Sequence, residues 1–363
     1  MRDDTQTLPR GTRTGRLHPA VAGLRLTRIA PLLLSALLTV PPTQGAAARV
    51  SSVSSLEASF LAAYSEPGGW SGELPGSQRN SIGFETLARL SSERGDFLTL
   101  NLQARVSWDT ARPADDALAL EVHRAVADLR MGLGRRLRAG HFSPEFGLEP
   151  ATDTHATLLQ TLAGQEIGFK KDWGIGYGGV AGPFDLGLAL QLGSGMAIER
   201  AHGSFLATAR ASTPDRGNPR VAISLLRGDV LTPDRARTWP APDYAYGVVE
   251  KTRLGIDAEY LAGPVTLLGE ASWGLDGDSQ MAAALLQADW SVHGNDRVVL
   301  SGQLRGRAVD LGRDLPCSGV ASLSASYRVS SHWWLRMLAD SDLAPTGGAR
   351  ERRCAVQAYF VGS

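Results

Sequence analysis

Along residues 298–307, VVLSGQLRGR, apolar or small side chains alternate with polar ones, and the same alternation recurs through almost the whole chain after residue 50. Val298, Leu300, Gly302, Leu304 and Gly306 share one phase, opposite Val299, Ser301, Gln303, Arg305 and Arg307. A period of two belongs to a β-strand with one wet and one apolar face. Further on, Ala321, Leu323, Ala325, Tyr327 and Val329 oppose Ser322, Ser324, Ser326 and Arg328. In 265–273 the wet phase holds Thr266, Glu270 and Ser272; in 98–108 it holds Thr99, Asn101, Gln103, Arg105 and Ser107.

The alternating segments predict about sixteen strands, at 53–65, 80–91, 96–109, 116–130, 134–142, 164–181, 184–194, 203–213, 219–229, 249–262, 264–275, 280–293, 296–309, 317–329, 332–341 and 351–362. Tight Gly- and Pro-rich connections such as Ala181-Gly182-Pro183-Phe184 and Ala262-Gly263-Pro264 follow the even-numbered strands. Longer ones, at 66–79, 143–163, 195–202, 230–248 and 342–350, follow odd-numbered strands. The expected fold is all-β: a transmembrane antiparallel up-and-down β-barrel with short periplasmic turns and longer extracellular loops. A soluble β-sandwich would also alternate, but it does not need strands that reach the ~9–11 residues of an oblique bilayer crossing. Trp108, Trp273, Trp290, Tyr327 and Phe360 fall on the apolar phase near segment ends, where interfacial aromatic belts belong. Charged residues avoid that phase, as they must where an arginine facing lipid at mid-depth costs ~2–4 kcal/mol.

Six arginines and two aspartates, the apolar run Ile29 to Val40 and the small residues Ala46-Ala47-Ala48 give residues 1–48 the pattern of a secretory signal peptide removed before Arg49. Of 37 basic and 37 acidic residues in the whole chain, 31 and 35 then remain at 49–363. This mildly acidic balance indicates no nucleic-acid partner. Outer-membrane lipid is the expected surroundings. Cys317 and Cys354 would meet an oxidising compartment, and both fall at the long-loop end. A disulfide between them stays open, because two strand spacings exceed its reach unless loop backbone draws the cysteines together.

The segment Gly140-His141-Phe142-Ser143-Pro144-Glu145-Phe146-Gly147-Leu148-Glu149 resembles the F-x-x-P-F-G-L-E segment of the phosphate-selective porin family, and the barrel pattern resembles Gram-negative outer-membrane porins in general. Glu145 separates the proline from the phenylalanine, and the chain has only three lysines, Lys170, Lys171 and Lys251, where those porins conduct anions past arginines and lysines. The resemblance implies a homotrimer in the outer membrane. It also implies that the third long loop, about 143–163, folds into the lumen and narrows it.

On that reading Glu145, Glu149, Asp153 and His155 are the expected pore constriction. The expected lumen wall comprises Arg105, Arg136, Arg138, Glu270, Arg305, Arg307, Arg328 and Arg336, so that an acidic loop faces a basic wall and sorts solutes by charge and size. Asp257, Glu259, Glu270 and Asp289 could face the arginines across the lumen. Two other readings of the loop are weaker. A metal site needs three or four converging ligands, and Asp153 and His155 have no matching partner motif; a catalytic site needs a nucleophile that no spacing singles out. A plain solvated loop packed on the rim remains open. The expected function is passive diffusion of small hydrophilic solutes or ions, with no enzyme activity and no cofactor. The alternative is a non-conducting barrel scaffold that holds a partner such as an exported multihaem cytochrome or a surface protein; the chain itself has no C-x-x-C-H haem site.

Overall fold

The computed structural model describes residues 49–362 apart from 67, 75–77, 109–117, 133, 153, 156, 199, 201, 215–216, 233–237, 239–246, 295, 311–316 and 345–349. The leader assigned to 1–48 lies outside the described residues. The wall strands are β1 (Arg49–Ser65), β2 (Gln78–Ser92), β3 (Gly95–Trp108), β4 (Leu118–Gly132), β5 (Arg135–Phe142), β6 (Asp172–Ala181), β7 (Phe184–Gln191) and β8 (Phe205–Ser212). They continue as β9 (Arg220–Thr232), β10 (Gly247–Ala262), β11 (Val265–Asp276), β12 (Ser279–Ser291), β13 (Val298–Val309), β14 (Cys317–Arg328), β15 (Trp333–Ala344) and β16 (Arg352–Gly362). Two short strand segments, Gly69–Ser71 and Glu73–Leu74, decorate the first long loop, and one helical turn, α1 (Ala163–Glu166), interrupts the third.

Each strand pairs antiparallel with its sequence neighbours, and β1 closes the circle by pairing with both β2 and β16. Ser59 marks the closure, opposite Ser81 on one side and Tyr359 on the other. The result is a closed sixteen-stranded up-and-down barrel. Closure leaves no long sheet edge, the one way a sheet can satisfy its backbone in hydrocarbon.

The two phases are sorted in the reverse of a soluble protein. On β10 the side chains of Lys251, Arg253 and Asp257 are buried, whereas Leu254 and Ile256 are 48% and 51% exposed. Leu304, Leu323, Trp273, Trp290 and Tyr327 face outward in the same way, while Gln103, Arg105, Ser107, Glu270, Ser272, Gln303 and Ser322 turn inward and are buried. An outer surface this apolar is matched by lipid and not by water.

Two expectations are corrected here. The strand expected at 164–181 begins only at Asp172, because Ala163–Glu166 form α1 and residues 167–171 belong to the preceding loop. Ile167 and Phe169 alternate with Gly168 and Lys170 and so read as strand, but Ile167 is fully buried in an interior cluster against which Phe169 packs. The disulfide is the second correction: Cys317 and Cys354 are both free and exposed. Cys354 pairs with Ala339, and Ala339 with Leu323, six residues along β14 from Cys317. That offset of roughly 20 Å, at ~3.3 Å per residue, far exceeds the ~7 Å limit of a disulfide.

Two outcomes test this architecture. Leu254→Arg, which places a guanidinium on the lipid face, should lower the unfolding free energy in bilayers by ~2–4 kcal/mol by denaturant titration. A thiol assay on unreduced, unfolded protein should find two reactive thiols per chain, read by intact mass after alkylation.

Candidate functional site

The third long loop is an excursion between paired residues, for it leaves at Phe142 and returns at Asp172, which are partners in the β5–β6 ladder. Between them it is tied to strands around the barrel. The Glu145 N–H donates to Thr208 Oγ1 on β8 at 3.0 Å, and the Gly147 N–H to Ser224 Oγ on β9 at 3.2 Å. Glu166 Oε2, on α1, accepts from Arg253 Nε of β10 at 3.0 Å and from Ser272 Oγ of β11 at 2.5 Å. The Gln160 carbonyl accepts from Gln303 Nε2 of β13 at 3.1 Å. His155 Nε2 lies 2.6 Å from Glu57 Oε2 of β1 and 2.9 Å from Gln103 Nε2 of β3. Partners on both sides of the barrel mean that residues 143–171 cross its interior.

Apolar packing also holds this crossing, with Leu158 and Leu159 buried beside Leu61, Leu338 and Ala355 of β1, β15 and β16. Phe146, Ala163 and Ile167 bury against Leu206, Leu226 and Val230, and Leu148 and Leu162 against Leu268, Ala283 and Leu285. Each fully buried Leu, Ile or Phe contributes about 1.5–3 kcal/mol. The shelf exists because β9, β11 and β12 carry apolar doublets: Leu225, Leu267 and Leu286 face out while Leu226, Leu268 and Leu285 face in. Such doublets break strict alternation in the sequence, and they are the signal that could have located the shelf. Gly147 (φ +59°) makes the close approach possible, since a Cβ there would overlap the Glu270 carboxylate.

A buried charge cluster fixes the loop among the same strands. Arg253, with no exposed side-chain surface, is gripped by Glu166 at 3.0 Å and Asp276 at 2.6 Å. Lys251 Nζ donates to the Glu166 carbonyl at 2.9 Å. None of Glu166, Arg253, Asp276 or Glu57 was singled out from sequence, because nothing local marks a charge that pairs with a residue some ninety positions away.

The structure divides the sequence-derived residues into three groups. Glu145, Glu149 and Arg138 sit in the seam between loop and wall: Arg138 bridges Asp128 at 3.1 Å and Glu145 at 3.3 Å, and Thr161 Oγ1 donates a short hydrogen bond to Glu149. Burial raises the Glu145 pKa, with Arg138 opposing the shift. His155, Arg105 and Arg305 line a cavity of about 380 Å³ on the long-loop side, together with Arg79, Lys170, Lys171 and Arg353. The remainder are dispersed. Glu270 abuts Gly147, Arg307 pairs with Asp276 at 3.3 Å, and Arg336 donates to Gln357 and stacks over Tyr359. Arg328 stands at the turn end of β14 opposite Trp334, and Arg136 on β5 opposite Gly178. Asp153 lies outside the described residues. Two of the four acids expected to face arginines across the lumen pair nearby instead, Asp257 with Arg210 at 2.6 Å and Glu259 with Arg220 at 2.8 Å, and Asp289 accepts from Gln287 of its own strand.

Around the cavity one carboxylate organises several bases. Glu121 accepts from Arg79 at 3.2 Å, from Arg105 at 2.8 Å and contacts His123 at 2.9 Å. Lys170, in the loop, donates to Thr154 Oγ1 at 3.5 Å; burial pushes its pKa down to about 8 although Glu149 acts to raise it. Among the described residues no group of three or more His, Cys, Asp or Glu side chains could hold a metal ion.

No protein-family model matches the sequence, and no curated protein matches it. Solved structures do. Outer-membrane-expressed OmpT of Vibrio cholerae aligns with a TM-score of 0.59 at 10% identity, over 86% of this chain and 98% of that one. The anion-selective porin from Comamonas acidovorans aligns at 0.58 and 13% identity, over 87% and 100%. The outer membrane channel DcaP of Acinetobacter baumannii aligns at 0.54 and 12%, over 86% and 97%. At these identities the likeness is one of fold, that of Gram-negative outer-membrane porins.

Removing one partner of a buried ion pair strands the other, at a cost of about 3–5 kcal/mol. Glu166→Ala should therefore lose stability of that order in denaturant unfolding and open residues 143–171 to added protease, whereas exposed Glu250→Ala should change neither.

Proposed function

We propose that this barrel is a porin-like outer-membrane channel that passes small hydrophilic solutes or ions by diffusion, narrowed by residues 143–171. The observation that carries this reading is the loop's path, tied to β1 and β3 on one side and to β8–β11 on the other, beside a cavity lined by polar and charged groups. Wet side chains would take over part of a solute's hydration, and charge and radius together would filter it. In this reading Glu145 and Glu149 position the constriction, and His155 faces the solute. Six cationic side chains, Arg79, Arg105, Lys170, Lys171, Arg305 and Arg353, line the cavity against the carboxylates Glu73, Glu121 and Asp340. Such an excess favours anions in a partly dry passage. The described neighbours include an anion-selective porin and an outer membrane channel, which supports the same reading. A specifically phosphate-selective channel has the resemblance of 140–149 as its support. A homotrimer has the trimer form in which one Vibrio cholerae OmpT structure is described.

One observation favours the scaffold alternative. The loop buries a substantial apolar core inside the lumen, as a plug would.

Current across a planar bilayer decides between them. Protein purified from outer membranes should give discrete conductance steps with an anion-selective reversal potential in a salt gradient. Lys170→Gln combined with Lys171→Gln should move that potential toward cation selectivity. A folded, heat-modifiable barrel that never conducts would remove the channel reading and leave the scaffold.

A further inference from the structure

We propose that the long-loop cavity binds monovalent organic anions that carry an apolar body, aromatic carboxylates above all, and that this site ranks the solutes the barrel accepts. Only the second half of that statement rests on the channel reading. The cavity's volume, about 380 Å³, falls within the roughly 300–1,000 Å³ of small-molecule sites. Its lining is of two kinds. Phe169 of the third loop and Met196 after β7, both half-buried, supply apolar surface, backed by the buried Leu74 and Leu158. Arg105 on β3, Arg305 on β13 and Lys170 on the third loop supply charge from separate elements.

The cations are not all committed. Arg105 is paired with Glu121, but Arg305 Nε is buried without a hydrogen-bond partner among the described residues. A buried donor left unmade costs about 1–3 kcal/mol, which a carboxylate oxygen would recover through a charge-assisted bond. Lys170 feels the like charges of Arg105, Arg305 and Lys171, opposed by Glu149, and donates to Thr154 at 3.5 Å. An anion placed among them would offset that repulsion. Asp340, which also lines the cavity, acts on Arg305 and lies 3.9 Å from Arg353, yet the six cationic side chains of the lining outnumber Glu73, Glu121 and Asp340.

Ligand chemistry then follows by elimination. A bare inorganic anion would satisfy the cations and leave the part-exposed Phe169 and Met196 in water. A neutral aromatic would cover those side chains and leave Arg305 unpartnered. An aromatic carboxylate meets both demands. Because a bound anion favours protonated Lys170, whose pKa burial pushes down to about 8, binding should be tight below pH 8 and weaken above it.

Isothermal titration of detergent-solubilised protein from outer membranes with benzoate, benzyl alcohol and inorganic phosphate tests this. Benzoate should bind at least tenfold more tightly than either control. Arg305→Gln and Phe169→Ala should each lose about tenfold or more while keeping heat-modifiable mobility. Raising the pH from 7 to 9 should weaken benzoate binding in the parent protein and not in Lys170→Gln. Equal binding of phosphate, equal binding of benzyl alcohol, or a pH response that survives Lys170→Gln would overturn the proposal. Benzoate binding without conductance would overturn the channel alone, and conductance without benzoate preference would overturn this site alone.

Discussion

The pairing of β1 with β16 is the contact on which the rest depends. A chain that turns Leu254, Ile256, Leu304 and Leu323 outward gives up water as a hydrogen-bonding partner for its backbone over the whole apolar belt. Every N–H and C=O there must find a partner within the wall, and only a closed sheet provides one for each strand. Ser59, held between Ser81 and Tyr359, lies on that closure. The same place is reinforced from inside, where Glu57 accepts from Tyr359 at 3.0 Å and meets His155 at 2.6 Å. Barrel closure and the anchoring of the third loop thus share one carboxylate.

Once the apolar phase faces lipid, the polar phase must satisfy itself in the interior. Strand register decides how. Asp257 meets Arg210 two strands away across β9, and Glu121 on β4 meets Arg105 directly opposite on β3. Pairing along the wall needs only one or two ~4.8 Å spacings, whereas pairing across an open lumen would have to bridge its full width. The third loop changes that balance by bringing its own groups to the far strands. Glu166 delivers a second carboxylate to Arg253, beside the one that Asp276 supplies from neighbouring β11.

Period-two alternation made the strands legible because each wall residue has one neighbour in lipid and one in the interior, and side-chain chemistry records the difference. The expected and observed strands differ by a few residues at most ends, and 265–276 and 317–328 lie almost where the pattern put them. The loop was legible as a place and not as an arrangement. Glu145 and Glu149 stood out for their charge, yet their surroundings come from Arg138 and Thr161, and neither side chain is among those that line the cavity. Arg305 and Arg307, two residues apart on one phase, were both expected on the lumen wall, but Arg305 faces the cavity and Arg307 turns to Asp276. Alternation fixes a face; it says nothing of the loop that later covers that face.

The apolar doublets show why a lumen need not be uniformly wet. An inward leucine such as Leu226 or Leu268 costs the wall nothing on its lipid side, because the outward position beside it, Leu225 or Leu267, is already apolar. In an empty lumen it would stand in water, so it is stabilising only where something dry covers it. Phe146, Leu148, Leu162 and Ile167 are that cover. The loop's polar atoms find partners on both sides, Glu57, Gln103 and Gln303 on β1, β3 and β13, and Thr208, Ser224, Arg253 and Ser272 on β8 to β11. Apolar packing and hydrogen bonds on both sides fix where the loop lies, and they leave the space between it and Arg105, Arg305 and Lys170.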